Sequence, residues 1–127
     1  MKRIAFAFAA TLLASGNALA ADLGAELTTA QTHAGLAAKA ANIDGVHMHI
    51  HHALNCLVGP GGSGFDAGNM NPCAKSGNGA IADSADAAQK AKLQTAVAQL
   101  NSGLAATDMA VAAKDATDAS TTIAGAK

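Results

Sequence analysis

The sequence predicts an all-α protein, an antiparallel up-down four-helix bundle of two helical hairpins joined by a long, disulfide-tethered, Gly-rich loop. Three observations predict it. Apolar residues recur at helical spacing in four separate stretches. Ala supplies most of the apolar positions, which favours helix and lets helices approach closely. Residues 58–83 hold seven glycines and both prolines, so the four stretches are separated into two pairs by a segment expected to carry no helix.

The N-terminus reads as an export signal. Lys2 and Arg3 give a positive start, Ile4 to Leu13 form a short apolar run, and Ala18-Leu19-Ala20 offers a small-x-small cleavage pattern. The run is too short to span a bilayer, and no later segment reaches the roughly eighteen apolar residues that spanning needs. The expected organisation is therefore a signal peptide over 1–20 and a single domain over 21–127, exported to the periplasm and without a membrane anchor in its mature form. Removing Lys2 and Arg3 from the eight basic residues leaves six against nine acidic ones, a net charge of about −3 with neutral His. Phe65 is then the only aromatic ring. Such a surface carries neither the basic face nor the stacking aromatics of a nucleic-acid binder.

Within the domain, Leu23, Leu27, Ala30, Ala34, Ala37 and Ala41 form a stripe on a first helix over 21–41. "NIDG" at 42–45 is a stop and restart, with Asp44 as N-cap of a second helix that runs to about Leu57 and buries Val46, Ile50, Ala53, Leu54 and Leu57. Asp83-Ser84 with Asp86 opens the next helix, on Leu93, Val97, Leu100 and Leu104. Thr107-Asp108 caps the last, on Met109, Ala112, Ala116, Ala119 and Ile123. The large side chains are few, and each Ala buries little area, so the core is thin and a cross-link or bound ion would help it. Cys56 and Cys73 are the only cysteines. In an oxidising compartment they are expected to form a disulfide that ties the loop to the end of the second helix.

The stretch that carries chemistry is "VHMHIHHALNC" (46–56), with His47, His49, His51 and His52 inside six positions. At 100° per residue, His47 and His51 stack on one flank of the helix, while His49 and His52 lie on the other, with Met48 one turn before His52. An i,i+4 His pair can share one ion from consecutive turns, so His47 and His51 are the expected primary pair. His33, His49 and His52 are expected to contribute, and Met48 less so. His33 lies on the margin of the first stripe and comes level with His51 and His52 across the hairpin. Remaining ligands could come from Asp66 or Met70 of the loop, from water, or from a second copy of the chain, which would make a homodimer. Imidazole suits copper(II), nickel, zinc and cobalt, and affinity peaks at copper. Haem is disfavoured, because C-x-x-C-H is absent and one Phe makes a poor wall for a porphyrin.

Two other readings of the histidines remain open: a face that charges below about pH 6.5, and a solvated face with no specific role. No nucleophile, base and oxyanion donor assemble from the remaining residues, so an enzyme is not expected. "GPGGSG" lacks the ending of a phosphate loop. The acidic residues are scattered and read as caps and exposed positions.

The hairpin "THAGLAAKAANIDGVHMHIHHALN" (32–55) and the Ala-rich "QTAVAQLNSGLAATDMAVAAK" (94–114) give the chain a resemblance to the small metal-binding proteins of the bacterial periplasm. Those are exported, Ala-rich four-helix bundles with helix-borne histidines, and the resemblance implies uptake of divalent metal, notably copper. Here the histidines are confined to the first hairpin and the Cys56–Cys73 loop is an addition, which favours one or two localised sites over high-capacity storage. The pattern "HxHHxxNCLxGP" from His49 is also similar to that of uncharacterised exported bacterial proteins. The expected function is a copper-leaning periplasmic buffer, scavenger or carrier. The alternative is a non-catalytic interaction module with a pH-responsive histidine face and a partner-docking loop.

Overall fold

A computed structural model describes residues 20–127. The signal peptide expected over 1–20 lies almost wholly outside the described residues. The described chain is all-α. Its helices are α1 (Leu23–Ala37), α2 (Ile43–Val58), α3 (Ala80–Asp83), α4 (Ala87–Ala105) and α5 (Met109–Ala124). Among the described residues, no helix is long and apolar enough to cross a membrane.

Each long helix begins at a side chain that accepts an orphan N–H of the first turn. Asp22 takes the Ala25 amide, Asn42 that of Gly45, Asp86 that of Gln89 and Asp108 that of Val111. The cap of α2 is thus Asn42, two residues before the expected Asp44, which sits inside the first turn instead. The first helix ends at Ala37, short of the expected Ala41, and Ala41 is exposed. The loop segment was expected to hold no helix, yet Ala80–Asp83 form a single turn, "AIAD", just beyond its last glycine.

α1 packs on α2 and α5, and α4 packs on α5. In the second pair, Lys92 near the start of α4 donates to the Gly125 carbonyl at 2.8 Å, and Ser102 near its end donates to Asp115 at 2.8 Å, so the two helices run antiparallel. The core is built of Ala30, Ala34, Ala37, Ala53, Ala96, Ala112, Ala116 and Ala119 around Leu27, Ile50, Leu57, Leu93, Leu100 and Ile123. Close approach is visible at Gly103, where a Cβ would stand 2.8 Å from Ile50 Cδ1. Met109, expected in the core, is 42% exposed because it occupies the first position of α5, outside the stripe that begins at Ala112.

The loop is anchored three times to the first hairpin. Cys56 and Cys73 are joined by a disulfide, which by loop length contributes about 3 kcal/mol in the chain-entropy picture. Asn55, fully buried on α2, accepts the Asp66 N–H at 2.9 Å, and its amide nitrogen faces the carbonyls of Asp66 (2.9 Å), Asn69 (3.3 Å) and Met70 (3.1 Å). Glu26 of α1 accepts the Gly79 N–H at 2.9 Å. Where the loop leaves α2, Gly59 has φ +66° and its missing Cβ would collide with the Asn78 backbone, so no other residue fits.

Candidate metal centre

α1 and α2 face each other with histidines on both sides of the seam. His33 comes from α1, and His49 and His52 from consecutive turns of α2. One ring nitrogen of each lies within 4.8 Å of the other two. His33 Nδ1 and His49 Nδ1 are 3.2 Å apart. Two nitrogens bound at about 2.05 Å to one tetrahedral ion would lie roughly 3.3 Å apart, so this edge already has the length such an ion requires. The His33 and His52 rings meet edge to face with centroids 5.0 Å apart, and His49 and His52 do the same at 5.7 Å.

Protonation favours the ligand form. Burial, and then the neighbouring His52 and His49, hold the His33 ring below the usual imidazole value. Burial, and then His49 and His51, do the same for His52. Neutral imidazole is the species that binds metal. His52 is only 6% exposed, and its Nδ1 is buried without a hydrogen-bond partner. A buried polar atom left bare in this way is costly. An ion held by the three rings relieves that cost where it is bound through this nitrogen. His33 and His49 are half-buried, which leaves a route to the cluster from solvent.

The remaining expected ligands are placed elsewhere. The His47 ring is directed across the bundle to the Ala106 carbonyl, with Nε2 3.1 Å from it. His51 Nδ1 stands 3.1 Å from Asp66 Oδ2. The expected primary pair is therefore engaged by the α4–α5 link on one side and by the loop on the other, and the three-nitrogen cluster forms on the flank expected only to contribute. Asp66 is also taken up by Asn69 and Gly68. These bonds, the Asn69 side chain first and then the Gly68 amide, hold its carboxyl below the usual carboxylate range. Met48 and Met70 are 44% and 63% exposed.

Glu26 was missed by the sequence reading, which placed acidic residues at caps and on exposed faces. It is fully buried, with Oε2 lacking a partner. The available signal was its spacing from Leu23, Ala30 and Ala37, which puts it on the buried face of α1. No family model, no curated protein and no solved structure matches this chain.

Proposed function

We propose that the protein binds a transition metal ion, copper(II) by preference, through His33, His49 and His52. It does so in the periplasm as a buffer, scavenger or carrier, with no catalysis of its own. The observation that carries this reading is that one ring nitrogen each of His33, His49 and His52 lies within 4.8 Å of the others, and that Nδ1 of the buried His52 has no hydrogen-bond partner. Nickel, zinc and cobalt share the ligand chemistry, and copper leads through its position in the affinity order. Three protein nitrogens leave a coordination position for water or an incoming ligand, which suits an ion that is handed on. The scaffold is read as an antiparallel up-down four-helix bundle, supported by the α1–α2, α4–α5 and α1–α5 packing. The disulfide suits an oxidising compartment.

The test is a titration of the mature protein with copper(II), nickel(II) and zinc(II), following the thermal midpoint. At a hundredfold excess over Kd, a native-state site adds about 2.7 kcal/mol. His33→Asn and His49→Gln should each remove most of the rise, while a His47→Gln/His51→Gln variant should keep it. An equal response in all variants would overturn the assignment.

A further inference from the structure

Glu26 is the other buried ionisable group that the fold holds in an uncompensated setting, and it lies away from the histidines at the opposite end of α1. Its side chain has no exposed surface. Oε1 accepts the Gly79 N–H, and Oε2 is buried and bare. The charged groups that act on it are both acidic: Asp83 of α3 and Asp22 ahead of α1. From α2 comes the Cys56–Cys73 disulfide, with Cys73 Sγ 3.9 Å from the Glu26 carbonyl. Among the described residues, α5 supplies no titratable group that acts on it. Burial, followed by Asp83 and Asp22, pushes the Glu26 carboxyl above its ordinary value, against the Gly79 hydrogen bond.

The two carboxyls close on one turn. Asp83 accepts the Asn78 N–H at 2.6 Å and its side-chain amide at 3.1 Å. A Cβ on Gly77 would run into Asp83 Oδ2 and would stand 2.7 Å from Glu26 Oε1. Gly79, at φ +109°, presses on Val58 and Gly59 at the end of α2. Residues 77–79 are thus pinned between two acidic side chains and the exit of the histidine-bearing helix. The donors of the turn go to Asp83 and to Glu26 Oε1, which leaves the bare Glu26 oxygen as the place for a proton.

The geometry points to a proton-operated latch: Glu26 is a neutral carboxylic acid that donates to Asp83, the pair holds residues 77–79 against the end of α2, and loss of that proton opens the turn. Ionisation would leave two adjacent carboxylates with no cation between them, one of them buried with a bare oxygen. The stabilisation from this proton is complete below about pH 4.5, the ordinary value of the carboxyl, and is lost as pH rises through the folded-state value. Gly77 and Asn78 also wall a cavity of about 760 Å³ with Val58, Ile81 and Val97, so the latch sets the shape of that cavity.

The experiment follows two readouts on the mature protein across pH: the protection factor of the Gly79 amide by hydrogen exchange, and the infrared carbonyl band of a protonated carboxyl. Wild type should lose the band and the Gly79 protection together as pH rises. Glu26→Gln, whose amide can still donate to Asp83 and accept from Gly79, should keep Gly79 protected throughout and lack the band. Asp83→Asn removes the acidic neighbour and should move the wild-type transition to lower pH, which keeps the test decisive if Glu26→Gln folds poorly. Protected Gly79 with no protonated carboxyl, or a transition unmoved by Asp83→Asn, would overturn the proposal.

Discussion

The two hairpins are built from the same parts and put to different uses. α4 and α5 bury Leu93, Ala96, Leu100, Gly103, Ala112, Ala116, Ala119 and Ile123, all of them apolar. α1 and α2 share the Ala-rich apolar seam, yet they also bury Glu26, His52 and Asn55. The fully buried seam of the second hairpin is apolar, and its polar cross-links, such as Ser102 to Asp115, lie outside that seam. Fully buried polar side chains in the first are therefore not a requirement of the architecture. Two of them, Glu26 and Asn55, hold the loop, and the third belongs to the histidine cluster. Burying such groups costs stability unless they are satisfied. The two bare atoms of the first hairpin, His52 Nδ1 and Glu26 Oε2, mark where an ion and a proton are expected, while the second hairpin has one bare amide oxygen, Oε1 of the half-buried Gln99. One hairpin is closed by an apolar buried seam, and the other also holds the buried polar groups on which the proposed site rests.

The largest effect that would sharpen this contrast is in the second hairpin. Leu100→Ala should cost about 3–4 kcal/mol in chemical denaturation, because Leu100 is fully buried and its neighbours can collapse only partly. The protein that remains folded should show an undiminished midpoint rise with copper. In the first hairpin, Asn55→Ala removes a buried group that holds four backbone atoms of three loop residues, Asp66, Asn69 and Met70. It should cost about 3 kcal/mol and expose residues 66–70 to limited proteolysis. Replacing Cys56 and Cys73 together by Ser should cost about 3 kcal/mol.

The pH response separates the hairpins again. The folded-state values of His33 and His52 lie below the ordinary imidazole value of 6.5, so the unfolded chain binds more protons. In metal-free protein the contribution of these two rings should therefore be complete above about pH 6.5 and be lost as pH falls below it. A denaturation series across pH should show that loss in wild type and reduce it in His33→Asn. The smallest effect belongs to the second hairpin: Asp108→Ala removes the cap of α5 and should cost about 1 kcal/mol with no change in metal response.

Most of the helices were legible because amphipathic spacing and capping residues act locally. The buried faces of α2, Val46, Ile50, Ala53, Leu54 and Leu57, and of α5, Ala112, Ala116, Ala119 and Ile123, follow from periodicity alone. The choice between Asn42 and Asp44 as cap did not follow, because both side chains can accept a first-turn N–H and tertiary packing selects one. The histidine division into two flanks was also legible. Which flank forms the cluster depends on how α2 is rotated against α1, and on Ala106 and Asp66 as partners for His47 and His51. Those partners are 59 and 15 positions away, beyond the reach of local pattern. Glu26 was hidden for a related reason: its burial depends on the Gly79 amide, 53 positions along the chain.

The most direct measurement is an anomalous difference map from crystals of the mature protein grown with one equivalent of copper(II), collected at the copper edge. The account predicts a single peak bound by nitrogens of His33, His49 and His52 across the α1–α2 seam. A peak held by His47 and His51 instead, or a fully ordered histidine cluster with no peak, would contradict it.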